Sequence, residues 1–361
     1  MFASLAADYP REPRTGEPDA LAEADRRLAA GEISQADHQA IARAFARVVI
    51  AEQETAGLAI LTDGDVAHAD RLQSLVEGLG GLSSDGAAVL PDGARVRAPH
   101  FDRAPAWHAP ITVDDWQFAD QATDLPVKQT LVGPYTIARL AEPGGAPRGP
   151  LALGLAEAMN AELRALASAG CPIMQIDEGA LTGIGDDAAE WDLYVATQRR
   201  LTAGLEDHHL SLGIYHGAVD PAGYASILDG PYRSYLVDAL AGSAAWRFVF
   251  AVPAEQGIIV GALDADRSAR DEPELMVWAM AWAANGGRTW DRVGIAPNGS
   301  MRNLGRHEAR RKIEEMGEAV RIASMGPLQE VAEALDPTPL ETRMAPLRHL
   351  AEAVEAARTP G

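Results

Sequence analysis

PIMQIDEG, from Pro172 to Gly179, is a short apolar run that stops at two acids and a glycine. The same form recurs along the chain. ASLAADYP lies near the start, LAILTDGD spans Leu58 to Asp65, and VKQTLVGP spans Val127 to Pro134. LSLGIYHG runs from Leu210 to Gly217, WRFVFAVP from Trp246 to Pro253, GIIVGALD from Gly257 to Asp264 and DRVGIAPNG from Asp291 to Gly299. These are eight candidate strands. Nearly continuous apolar strands with polar ends suit a parallel sheet buried on both faces.

Helical stretches separate them. Ile33 to Glu54 is alanine-rich with Ser34 as N-cap, and Leu151 to Ala169 stops at Gly170. Glu272 to Ala284 opens on an acid and a proline, and Arg306 to Ile322 is charged and amphipathic. Strands alternating with helices imply parallel βα units, and eight of them imply an α/β (β/α)8 TIM barrel. An open doubly wound sheet is the alternative, but no GxGxxG follows any of these strands. The reading takes residues 1–361 as a single domain. Gln73 to Ala122 is an excursion after the second strand, and Leu328 to Gly361 is a C-terminal helical extension.

Hydrophobic residues make up 47% of the 361, enough for a large core. The net charge of −21 repels nucleic acid and anionic membranes. With Cys171 alone, the chain forms neither an internal disulfide nor a multi-thiolate metal site. The start shows no signal-peptide pattern, and the longest apolar run, Leu275 to Ala284, is about half of what a bilayer needs. A cytoplasmic location and a small-molecule partner, an amino acid or another carboxylate, are the expectations.

In a barrel the C-terminal strand ends converge on one mouth. Here they supply Asp63, Asp65, Asp177, Glu178, Tyr215, His216, Asp264 and Asn298. Carboxylates, imidazole and amide in one cleft suit amine binding or acid/base work. Adjacent acids on a strand point to opposite faces, so only one of Asp177 and Glu178 faces the axis, and strand-end acids also cap helices. Asp63 competes with Asp65 for the same side, and His216 is as often structural as catalytic at such a position. His216 and Asp177 are the catalytic candidates. Asp65, Asp177, Glu178 and Arg11 are the substrate-binding candidates. Trp107 and Trp116, in the excursion, are weaker candidates for stacking on a flat substrate, whereas Trp278 and Trp282 read as helix packing.

At these residues the chain resembles a family. DYPREP, AEQETAGLAILTDGDVAHAD, VKQTLVGPYTIARL and AGCPIMQIDEGAL are similar to segments of the catalytic barrel of cobalamin-independent methionine synthase. The later xxHG turn, VGALD strand and APNG strand follow in the same order. The resemblance implies a (β/α)8 barrel that transfers a methyl group from a methylated folate co-substrate to the thiol of homocysteine. It implies that Asp177 holds the substrate amino group and that Asp65 is a second such acid. It also implies a zinc ion held by one His, two Cys and one Glu. Those positions fall at Gly213 and Tyr215, near Ala251, and at Gly299, so no metal ligand is assigned here and the cofactor is left unknown.

Three readings follow. The first is a divergent methyl or one-carbon transferase of this family, with His216 as base. The second is a metal-free lyase or decarboxylase using Asp65, Asp177, His216 and an arginine such as Arg11. The chain resembles the uroporphyrinogen decarboxylase barrels more distantly. The third is a non-catalytic small-molecule-binding homologue.

Overall fold

The chain begins with a two-residue strand, β1 (Phe2–Ala3), in a computed structural model that describes residues 1–6, 8–11, 19–90, 95–141 and 147–335. Helices α1 (Ala20–Ala29), α2 (Gln35–Thr55) and α3 (Arg71–Gly78) follow. A hairpin of β2 (Gly80–Val89) and β3 (Arg95–Ala106) and the short α4 (Val113–Asp120) precede β4 (Lys128–Val132). Next come α5 (Pro134–Leu140), α6 (Arg148–Ala169), β5 (Ile173–Asp177), α7 (Ala188–Leu201) and β6 (His209–Ile214). After these lie α8 (Tyr224–Leu228), β7 (Ser234–Asp238), α9 (Ser243–Ala251), β8 (Gly257–Leu263) and α10 (Pro273–Ala283). Strand β9 (Val293–Pro297) and helices α11 (Arg306–Ala323) and α12 (Leu328–Ala334) end the described chain.

Seven strands form one parallel sheet in the order β1-β9-β8-β7-β6-β5-β4. Every residue of β4, β7 and β9 is buried, as a sheet covered by crossover helices requires. LAILTDGD lies between the two edge strands. Ile60 bridges Ser4 in parallel and Leu61 bridges Val127 in parallel. The result is a curled α/β sheet whose strands all point the same way.

Local chemistry explains the helix ends. Ser34 and Asp37 form a reciprocal capping box at α2, and Gly170 ends α6 in the left-handed region, φ 99°. No helix among the described residues is long and apolar enough to cross a membrane.

One expected strand needs correction. WRFVFAVP is not a strand, because Ser243–Ala251 forms α9. Ala245, Phe248 and Val249 are its buried face, a helical spacing that a short apolar run conceals. The strand at this point of the sheet is β7, SYLVD, whose serine and tyrosine dilute the apolar signal. The excursion Gln73 to Ala122 is also structured, as α3, the β2–β3 hairpin and α4. Glu162, fully buried on α6, pins it by accepting hydrogen bonds from Trp107 Nε1, Ile111 N, Thr112 N and Thr112 Oγ1. Trp107 is thus an anchor rather than a stacking platform, and Trp116 donates to Val127 O at 3.0 Å. Of the expected C-terminal extension, α12 is seen, and residues 336–361 lie outside the described residues.

Candidate active site

Because the strands are parallel, their C-terminal ends open on one cleft of about 860 Å³. Asp8, Arg71, Asp177, His216, Asp238 and Asn298 line it. A second cavity, about 740 Å³, opens at the opposite strand ends around His209, Ser211 and Ser234; Asp177 and His216 take no part in it.

Asp177 ends β5 and is 3% exposed. Both of its oxygens are taken by the chain itself. Gln175 Nε2 donates to Oδ1 at 2.7 Å, and Arg71 Nη1 donates to Oδ2 at 2.6 Å. Arg71 Nη1 also lies 3.4 Å from Thr130 Oγ1, and its Nε lies 3.6 Å from Asp8 Oδ1. Burial disfavours the Arg71 charge, but Asp177, Asp8 and Asp65 outweigh it and hold its pKa above the ordinary value. Asp8 accepts in turn from Ser300 Oγ at 2.8 Å and from Arg302 Nη2 at 3.3 Å.

Below this layer, Lys128 Nζ donates to Leu5 O and Gln175 Oε1, both at 2.6 Å. Burial lowers Lys128 to about 8. Thr130 Oγ1 donates to Asp65 Oδ2 at 3.0 Å, and Asp65 N donates to Asp63 Oδ1 at 2.9 Å. Burial and then the repulsion of neighbouring acids push Asp65 upward, and burial pushes Asp63 the same way.

Among the described residues, two non-glycine residues have φ in the left-handed region, Asp65 at 51° and His216 at 66°. Both lie at strand ends in this neighbourhood. Strained backbone that the surroundings enforce gathers at functional sites. Asp238 ends β7 and accepts from Leu240 N, Ala241 N and Asn298 Nδ2; burial raises its pKa.

The structure places Asp177 and His216 in the lining of the cleft, links Asp65 to Asp177 through Thr130 and Arg71 without bringing it into that lining, and leaves two candidates elsewhere. Glu178 is fully buried and points away from the cleft. It accepts from Tyr135 N, Thr136 N, Thr136 Oγ1 and Gln198 Nε2, holding the first turn of α5. A Cβ on Gly133 would lie 2.1 Å from its carboxyl carbon, so the Gly-Pro of VKQTLVGP and the Asp-Glu of PIMQIDEG form one interlocked unit. Arg11 pairs with Asp25 at 3.0 Å and donates to Val66 O at 2.8 Å, outside the lining of the cleft. Alternation at the strand end was the available signal for Glu178. No sequence signal pointed to Arg71, Arg302 or Ser300, whereas Asp8 opens the DYPREP segment that carried part of the resemblance.

The four positions where the resemblance implies zinc ligands are also placed. A Cβ on Gly213 would lie 2.2 Å from Asp177 Oδ1. Tyr215 donates its hydroxyl to Ala6 O at 3.1 Å and lies 2.7 Å from the Gln175 amide nitrogen. Ala251 ends helix α9 on an exposed face, and Gly299 brings no side chain. Cys171 is buried ahead of β5, and burial pushes its thiol up to about 12.

A curled parallel α/β sheet with an acid-rich cleft at its strand ends is a common setting for a small-molecule site. The family follows from comparison with known proteins. Residues 13–205 match the model of the cobalamin-independent synthase catalytic domain, and the chain belongs to that family. The 5-methyltetrahydropteroyltriglutamate–homocysteine methyltransferase of Caulobacter vibrioides is 29% identical over 316 residues, covering 82% of this chain and 39% of that protein. Its Cronobacter sakazakii namesake is 34% identical over 170 residues, 46% of this chain and 23% of that one. The chain thus spans well under half the length of these relatives. Among solved structures, a B12-independent methionine synthase from Shewanella sp. W3-18-1, in complex with selenomethionine, superposes with a TM-score of 0.70 at 18% identity. The superposition covers 88% of this chain and 97% of that one. A putative vitamin-B12 independent methionine synthase from Listeria monocytogenes gives 0.68 at 14% identity, covering 89% and 98%. At these identities the structures speak for the fold.

Proposed function

We propose that this protein is a methyltransferase of the cobalamin-independent synthase type, acting on a small nucleophile in the strand-end cleft. The observation that carries the reading is that Asp177 and His216 line that cleft, with Asp65 joined to Asp177 through Thr130 and Arg71, in a chain of this family. In this reading the parallel bridges at Ile60 and Leu61 close the seven strands into an eight-stranded (β/α)8 ring, and residues 1–361 form one domain. The methyl donor is a methylated folate, as the names of the relatives suggest for them.

The reaction needs little covalent help from the protein. The acceptor's lone pair attacks the methyl carbon, the bond from that carbon to the donor nitrogen breaks with its electron pair going to that nitrogen, which takes up a proton, and the acceptor's own proton must leave. His216, at the rim, is placed to take that proton. Asp177, with its Arg71 and Gln175 partners, and Asp65, through Thr130, orient the acceptor from the wall of the cleft.

The residues present do not fit the family's zinc centre. Two of the four positions are glycines, the third is a tyrosine already engaged, and the fourth is an alanine on a helix surface. Among the described residues no three His, Cys, Asp or Glu side chains gather to hold a metal ion. No step here is routed through a metal.

Incubating the purified chain with isotopically labelled methyl-tetrahydrofolate and a panel of small thiols, with and without added zinc, tests this. Label should move to at least one acceptor at a rate that zinc leaves unchanged, and His216→Ala should abolish it. Transfer that requires zinc would overturn the metal-free reading. No transfer to any thiol would overturn the transferase reading.

A further inference from the structure

A cleft that recognises an ammonium group keeps a carboxylate waiting for it. Here the inner acids already hold partners from the chain itself. Asp177 accepts on one oxygen from Gln175 and on the other from Arg71. Asp8 is filled by Ser300, Arg302 and Arg71. Asp65 accepts from Thr130, which lies 3.4 Å from the same guanidinium. Asp177 and Asp8 are thus paired with Arg71 and Arg302 in the wall of the cleft.

The partners are well held. Arg71 is the first residue of α3, whose N-cap Asp70 accepts from Gln73 N. Its side chain is 17% exposed against 3% for Asp177, so the pair is largely out of water and screened little by salt. A guanidinium fixed at a carboxylate in this way is not displaced by a more strongly hydrated ammonium without a desolvation penalty.

We propose that Arg71 stands in for the substrate ammonium at Asp177, so that the cleft selects acceptors lacking an α-amino group, such as a thiol or thioether carboxylic acid. Arg71 is then the specificity-determining residue, and its exposed edge, with that of Arg302, offers donors to a carboxylate. The inference rests on the transferase reading for the word acceptor, but it is tested by binding alone.

The probes are L-methionine and its desamino analogue, 4-(methylthio)butanoate, titrated calorimetrically into the full chain at millimolar concentration. The wild type should prefer the desamino ligand by at least about tenfold, equivalent to about 1.4 kcal/mol. Arg71→Met, of similar length and uncharged, should reverse the order, because Asp177 then lacks a cation. Arg71→Met combined with Asp177→Asn should lose the gained methionine affinity, and it controls for the buried charge that the single variant leaves. Arg71→Lys, which puts an ammonium in place of the fork, should weaken the wild-type preference without reversing it.

A wild type that binds methionine as well as the desamino ligand, or binds neither, overturns the inference without reference to any variant. So does a folded Arg71→Met protein that gains nothing for methionine. The transferase reading fails separately. Selective binding of the desamino ligand with no methyl transfer to any acceptor would sink the reaction and leave the role of Arg71 standing.

Discussion

Glu178 provides the sharpest energetic test of how the two signature segments interlock. Replacing it with alanine leaves Tyr135 N, Thr136 N, Thr136 Oγ1 and Gln198 Nε2 without their acceptor in a fully buried place. Each orphaned donor costs about 1–3 kcal/mol, and relaxation makes the sum smaller than its parts, so Glu178→Ala should lose about 4 kcal/mol. That is a large fraction of the 5–15 kcal/mol typical of a folded domain. Glu178→Gln keeps one acceptor oxygen and should lose about 2 kcal/mol near neutral pH. The pH dependence separates the two terms. Burial pushes Glu178 up to about 7 from an ordinary 4.5, against the pull of its hydrogen bonds. An acid whose folded value is raised contributes stability that is fully present below the unfolded value and lost as pH rises through the folded one. Between 4.5 and about 7 that loss is about 3 kcal/mol for the wild type, at about 1.36 kcal/mol per pH decade, and zero for the glutamine variant. Urea unfolding of both proteins at about pH 4.5 and about pH 8 measures it, since other titrating groups cancel in the difference. The gap between them should narrow as pH rises. A gap that widens would mean that the hydrogen bonds, not burial, control this carboxyl. A Glu178→Ala loss below about 1 kcal/mol would refute the anchoring role itself.

Three further outcomes follow from the same structure. Asp65→Asn removes a buried acid whose pKa is raised, so the variant should gain stability over the wild type as pH rises above the ordinary 3.8, read as a growing difference in Tm with pH. A loss of stability that grows with pH would contradict the assignment. The Cys171 thiol, pushed by burial from 9.0 to about 12, presents roughly a thousandfold less thiolate than an ordinary cysteine. A thiol reagent should therefore label it only on unfolding, and prompt labelling of the native protein would show that the site is open. Ser34→Ala removes one arm of the capping box at α2, where Ser34 Oγ accepts from Asp37 N at 3.1 Å, and should cost about 1 kcal/mol in urea unfolding.

Much of this was legible from local pattern. Ser34 and Gly170 marked helix ends because capping chemistry is local. Six of the apolar runs, PIMQIDEG among them, overlap strands of the sheet, and LAILTDGD contributes two parallel bridges. Trp246 to Pro253 misled because a short apolar run buried on one side reads alike as helix or strand. SYLVD was missed because two of its five residues are polar or amphipathic. Asp177 lines the cleft, whereas Glu178, one residue on, turns to the opposite side, as strand alternation allows.

What the sequence by itself determined is the parallel α/β class of the fold and several of the strand-end side chains, Asp177 and His216 among them, because hydrophobic run length and polar run ends carry that information residue by residue. What only the tertiary structure decided is the charge state of the cleft. Arg71 meets Asp177 across 106 positions of sequence, and Arg302 meets Asp8 across 294. Those pairings depend on where α3 and the segment after β9 come to rest over the sheet. No periodicity encodes which cation reaches a given carboxylate, because the outcome is set by desolvation and distance in the folded chain rather than by spacing along it.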